Sequence, residues 1–278
     1  MAETVTFESK DIAYQPVDGL NSSRFMDSDD ILWPRPPVRW CLGANDVHVW
    51  AAPLDMPPDS LSRLASMLSE EEKQRATRFR SDTHRNRFVA ARGILRTLLG
   101  GCLDCGPDEL KFDYGPTGKP ALAGRYTESG LSFNVAHSQS LGLVAITRRG
   151  PIGVDVEFIR PMSDASGLVE RFFSARENAL FQSLPDHQKN IAFFNLWTRK
   201  EAWLKATGQG IAHSLNRVEV TFTPGEPARF LALPNESRAE DNWILRELLP
   251  APGFVGAVAP PDSQFSISNF QFCLAEFL

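Results

Sequence analysis

The sequence predicts an α+β fold made of two similar halves. The first observation is order: a strand, two helices, a run of short strands, then helices and strands again, rather than the regular alternation of a parallel βαβ sheet. The second is likeness: "FVAARGILRTLLG" (Phe88 to Gly100) and "FNLWTRKEAWLKATG" (Phe194 to Gly208) read as helices of similar length, each preceded by another helix and closed by glycine. Amphipathic helices share such features by default, so the likeness admits either a duplication or two unrelated helices. A duplication would put a ligand cleft at the seam. The third is length, since 278 residues suit one large domain or two fused smaller ones. The chain divides by composition into an irregular lead-in over 1–40, an N-terminal α+β half over 41–150 and a C-terminal α+β half over 151–278.

The lead-in is polar, with the acidic "MDSDD" and the proline-rich "WPRPP". The folded part opens with "DVHVWAA" (Asp46 to Ala52), a strand in which Val47, Val49 and Ala51 alternate with other positions. "LSEEEKQRATRFR" predicts a helix with Ser69 as N-cap and Glu72 three residues on, a capping box. "THRNRFVAARGILRTLLGG" predicts a second helix, ended by Gly100 and Gly101. Short strands follow at "LKFDY", "LSFNVAHS", "GLVAITRR" and "IGVDVEF". Helices resume at "ASGLVERFF", "SARENALFQSL" and a long stretch from Asp186 to Thr207 ending at Gly208. Strands return at "RVEVTF", "ARFLAL", "WILRELL" and "FVGAVAP".

Composition excludes several classes. The longest apolar runs, Leu141 to Ile146 and Phe254 to Pro260, fall well short of the about 20 residues that cross a bilayer. The first residues have neither a basic nor an apolar signal region, so no membrane and a cytoplasmic location are expected. A net charge of −5 gives no reason to expect nucleic acid. Four cysteines do not make a disulfide scaffold, and the "CLDC" pair, Cys102 and Cys105, lacks the second pair a zinc site needs or the βαβ context of a redox motif. Between Lys73 and Arg96, however, eight basic residues face one carboxylate, Asp82, a local field suited to a small polyanion.

Two constellations carry chemistry. In "PIGVDVEFIR", Asp155 and Glu157 stand two apart on a strand and share a face, while Val154 and Val156 point the other way. Such a pair converges on a divalent cation or lies on a solvated edge. In "NLWTRKEAWLKATGQG", Trp197, Glu201 and Lys205 fall on one helix face, either as a functional group or as a surface ion pair beside a tryptophan. "YGPTGKP" presents Lys119 on a turn that is not a phosphate loop of the Walker type, because proline follows the lysine. "SFNVAHS" ends a strand with His137. Together these supply carboxylates for a cation and basic groups for phosphates, which phosphoryl chemistry requires.

These residues resemble a family. "IGVD", 41 residues, then "WTRKEAWLK" is similar to the two-block signature of the phosphopantetheinyl transferases, matching at Trp197, Thr198, Lys200, Glu201, Ala202 and Lys205. "GPTGKP" and "FNVAHS" resemble upstream blocks of its large, surfactin-synthetase-activating branch; the likeness covers about Val47 to Pro260. The resemblance implies a pseudo-twofold monomer with coenzyme A between the halves. Asp155, Glu157 and Glu201 would hold Mg²⁺ against the pyrophosphate, with Mn²⁺ equally acceptable to oxygen ligands. Lys205, Lys119, His137, Arg87 and Arg75 would contact coenzyme A, His137 near the 3′-phosphate. Ala136 stands where the family more often has serine, so a backbone N–H or Ser138 is expected to substitute.

The implied reaction is attack by a serine of an acyl, peptidyl or aryl carrier protein on the β-phosphate of coenzyme A, releasing adenosine 3′,5′-bisphosphate. Asp155, Glu201 and Lys205 are the catalytic candidates, Glu201 as base or as metal ligand, with Glu177 another carboxylate near the site. Phe172 and Phe173 belong either to a carrier-docking patch or to the core. A Mg²⁺-dependent nucleotide phosphohydrolase and a silent carrier-binding module are the rival readings. Whether fatty acid, polyketide or nonribosomal peptide synthesis is served is left open.

Overall fold

The computed structural model describes residues 30–37, 41–116, 118–209, 215–234, 243–261 and 266–272. It is an α+β protein, as the pattern predicts. The strands are β1 (Asp46–Pro53), β2 (Phe112–Tyr114), β3 (Pro120–Leu122), β4 (Ser132–Ser138), β5 (Leu141–Thr147), β6 (Gly153–Phe158), β7 (Glu219–Val220), β8 (Phe230–Ala232), β9 (Arg246–Leu248), β10 (Phe254–Ala259) and β11 (Ser266–Gln271). The helices are α1 (Pro58–Ser66), α2 (Glu70–Ala76), α3 (Asp82–Leu103), α4 (Ala165–Phe172), α5 (Ala175–Ser183) and α6 (Asp186–Thr207).

One sheet runs β11-β1-β5-β4 and a second β6-β10-β9. Strand alternation lets each sheet bury both faces. Val49, Ala51, Leu143 and Ala145 of the first meet Val154, Val156 and Val258 of the second in a shared core. On its other face the first sheet packs Trp50, Val144 and Ile146 against Ile94, Leu95 and Leu98 of α3. The second likewise packs Val255 and Ala257 against Phe194, Ala202 and Trp203 of α6. Each sheet thus has its own 22-residue helix, α3 or α6.

Several local features differ from expectation. The capping box at Ser69 forms in both directions, but α2 stops at Ala76. Gly100 and Gly101 do not end α3; it runs on to Leu103 and stops where Asp104 takes φ 52°. Gly100 lies inside because an added Cβ would sit 2.8 Å from the Cys105 carbonyl oxygen, so its smallness serves close packing rather than termination. α6 does end at Gly208, which takes the left-handed φ of 73°. The helix α1 was not foreseen. Nor was β11, which returns from the C-terminal half to pair in parallel with β1. Part of the lead-in is structured: Ile31 and Trp33 are buried in the inter-sheet core, while residues 1–29 lie outside the described set.

No helix among the described residues is long and apolar enough to cross a membrane. Cys41, Cys102 and Cys105 are free thiols, and burial pushes the Cys102 thiol up to about 12, which removes the thiolate that reactivity needs.

Candidate active site

The site forms where β6 lies against the last turns of α6. Gly153 makes the approach possible: a Cβ there would fall 1.9 Å from the Ala202 carbonyl oxygen. With the backbones this close, Asp155 and Glu157, on the same strand face as Gly153, project towards Glu201 and Lys205 of α6. Lys205 Nζ donates to Asp155 Oδ1 at 2.6 Å. Asp155 and Glu201 are buried, 5 % and 4 % exposed, which rules out a solvated edge strand and a surface ion pair.

The electrostatics are those of three carboxylates forced together. Burial and the neighbouring Asp155 charge push Glu157 up to about 7. The same two causes push Glu201 up to about 8. Burial opposes the charge of Lys205, but Asp155 and Glu201 outweigh it and hold this lysine above its usual range. Asp155 Oδ2 and Glu201 Oε1 are buried with no hydrogen-bond partner among the described residues. Buried carboxylate oxygens without partners are expensive, and a cation satisfies them.

The protein side chains alone do not form a finished metal cage. Among the described residues no group of three or more His, Cys, Asp or Glu is gathered closely enough to hold an ion. Two of the carboxylates are already engaged: Lys205 occupies one oxygen of Asp155, and Glu157 Oε2 accepts from Ser138 Oγ at 2.9 Å. Ser138 Oγ also accepts from Phe158 N at 3.0 Å, so it orients Glu157 and is not the free substitute foreseen for Ala136. Ala136 itself is buried in the inter-sheet core.

The basic groups divide. His137, exposed near the end of β4, is held below its ordinary value by desolvation and by the charges of Lys205 and Arg87, against its own backbone hydrogen bond and Asp155. Arg87 also forms a two-pronged pair with Asp55, Nε to Oδ1 at 2.6 Å and Nη2 to Oδ2 at 2.8 Å. Arg75 lies over the Phe88 ring, 5.4 Å from its centre, and among the described residues no bond joins it to the carboxylates. Lys119 Nζ donates to three backbone carbonyls, of Ile152, Lys205 and Ala206. The basic field of the sequence is thus largely neutralised: Arg92 and Arg96 converge on buried Glu72, Lys73 pairs with Glu70 and Arg85 with Asp82.

Comparison with known proteins gives this arrangement a family. Residues 151–258, which hold all three carboxylates and Lys205, match the 4′-phosphopantetheinyl transferase superfamily, and residues 56–148 match the 4′-phosphopantetheinyl transferase N-terminal family. The 4′-phosphopantetheinyl transferase HetI of Nostoc sp. is 49% identical over 226 residues, 81% of this chain and 92% of HetI. The chain belongs to the 4′-phosphopantetheinyl transferases. A phosphopantetheinyl transferase of Thraustochytrium sp. is 30% identical, covering 77% of this chain and 76% of its own. The transferase psf-1 of Bacillus pumilus is 31% identical over 56% of this chain and 64% of its own.

Within this transferase, two residues take places the sequence did not suggest. Glu177 is not part of the carboxylate cluster: it accepts from Lys200 Nζ, from Val220 N at 3.1 Å and from Ser174 N at 3.1 Å, 2 % exposed. Lys200, a signature position, is fully buried in that pair and donates also to the Leu215 carbonyl oxygen at 2.7 Å. The signature lysine is thus a strut joining α5, α6 and β7, and its one visible sign in the sequence was its place beside Glu201. Phe173 is core, and Phe172 is half-buried against the same cluster.

Proposed function

We propose that this transferase moves the 4′-phosphopantetheine arm of coenzyme A onto a serine of acyl, peptidyl or aryl carrier proteins, and that the chemistry occurs where β6 meets α6. The observation that carries the site assignment is the meeting of Asp155, Glu157, Glu201 and Lys205, with two buried carboxylate oxygens left unpartnered among the described residues. Asp155, Glu157 and Glu201 are the residues that would hold Mg²⁺ or Mn²⁺; either ion would neutralise pyrophosphate charge as the bridging oxygen departs. The donor chemistry fits, because all three ligands are hard oxygens.

The chain's own groups do the rest. Lys205, held charged by Asp155 and Glu201, faces the phosphates and offsets charge on the leaving oxygen. Glu201, buried beside Asp155 on the last turns of α6, is assigned either to accept the serine proton or to serve as a ligand to the cation. His137 and Arg87, close enough for Arg87 to lower the His137 value, are assigned to the phosphates of the nucleotide end. Arg75, exposed on α2 over the Phe88 ring, is assigned to the coenzyme A phosphates on the family resemblance alone. Coenzyme A would lie along the seam between the two sheet-and-helix halves of a monomer.

The reading is tested by measuring adenosine 3′,5′-bisphosphate release from coenzyme A and Mg²⁺ with an apo carrier, with the carrier's serine changed to alanine, and with no carrier. Release only with the intact serine is expected. Equal release in all three would make the protein a phosphohydrolase. Glu201→Gln should lower transfer by about a hundredfold or more while leaving the fold intact, since it removes a group placed at the reacting atoms.

A further inference from the structure

We propose that Lys119 is a positioning residue, an inter-half latch that caps the C-terminus of α6 and so sets Lys205, rather than a ligand to coenzyme A. An α-helix leaves its last carbonyls without helical partners, and a cation placed there satisfies them and opposes the helix dipole. Lys119 does this from the other half of the protein. It sits in the loop between β2 and β3, just after Gly118 at φ 77°, and donates to the carbonyl oxygens of Lys205 and Ala206 in the last turn of α6. Its third bond, 3.3 Å long, goes to Ile152, immediately before β6.

An ammonium has three donors, and all three are used. One side chain therefore ties the β2–β3 loop to both elements that carry the carboxylates. Its grip on Lys205 is through the backbone, while the side chain of Lys205 reaches Asp155 Oδ1 at 2.6 Å. Burial and the Lys205 charge hold the Lys119 amine down at about 8, and no carboxylate pairs with it among the described residues. To grip a phosphate, Lys119 would have to release these three carbonyls.

This rests on the transfer reading, so the unaltered chain must first modify a carrier; its failure to do so would sink that reading and not the latch. Steady-state kinetics of Lys119→Met are then compared with coenzyme A and with 3′-dephospho-coenzyme A as donors. A latch predicts a kcat at least about tenfold lower, a KM for coenzyme A changed less than about twofold, and the same loss with both donors. It also predicts that the loss disappears in a Lys205→Met background, since the effect passes through that residue. A KM increase confined to coenzyme A, with kcat unchanged, would overturn the latch and make Lys119 a ligand to the 3′-phosphate. So would a lower melting temperature with unchanged kcat in folded protein, which would leave Lys119 a purely structural tie. Should Lys119→Met not fold, Lys119→Arg, which keeps donors for the carbonyls, serves the same comparison with a smaller expected loss.

Discussion

Glu177 and Lys200 show how much a single buried charge depends on its partner. They are 2 % and 0 % exposed, and each satisfies further backbone groups. Changing Glu177 to Gln leaves an ammonium without its counterion, and removal of one partner from a buried pair costs about 3–5 kcal/mol. A urea midpoint lowered by that free energy divided by the m-value is expected; an unchanged midpoint would mean that Lys200 finds water or another acceptor. Asp155, Glu157, Glu201 and Lys205 were legible because spacings of two on a strand and four on a helix place side chains on one face. The role of Lys119 was not, because its partners are backbone carbonyls, which every residue has and no pattern marks. Arg87 and Arg96 looked free for a related reason. Their carboxylates, Asp55 and Glu72, lie 32 and 24 residues away in the chain.

At the scale of elements, the packing of α2 on α3 turns on Glu72. It accepts from Arg92 Nε at 2.5 Å, Arg96 Nε at 2.7 Å and its own N-cap. Burial acts to raise its pKa, but Arg92, the Ser69 N–H and Arg96 together bring it below the ordinary 4.5. A carboxyl lowered on folding contributes stability that is present above its unfolded value and lost as pH falls through its folded value. Unfolding measured from pH 7 down to pH 3 should therefore show a loss below about 4.5 that is smaller in Glu72→Gln; an identical slope in both would remove Glu72 from the account. Gly153 controls the other packing, between β6 and α6. Gly153→Ala would force backbone apart, costing about 3 kcal/mol or more and lowering transfer together with stability. Wild-type melting and activity in that variant would contradict the close approach. Elements were mostly visible in the sequence, with α6 and the Ser69 capping box read nearly to the residue. α1 was hidden by its shortness and its opening prolines, and β11 by the fact that its partner, β1, is about 220 residues earlier, a pairing no local pattern contains.

The whole molecule joins two sheet-and-helix units through one inter-sheet core, and β11 carries the chain from the second unit back to the first. The carboxylates come from the second unit, whereas Arg87, His137 and the Lys119 loop come from the first. A cation that binds these carboxylates in the folded chain and not in the unfolded one stabilises the fold by mass action. Mg²⁺ at millimolar concentration should raise the melting temperature of the intact chain, and much less so in Asp155→Ala; equal shifts would place the ion elsewhere. The central claim, transfer at this site, is tested most directly by intact-mass spectrometry of an apo carrier protein incubated with coenzyme A, Mg²⁺ and either the unaltered chain or Asp155→Ala, each with and without EDTA. The account predicts one phosphopantetheine added per carrier by the unaltered chain, none with EDTA and none by folded Asp155→Ala. Full modification by Asp155→Ala, or by the unaltered chain in EDTA, would contradict it.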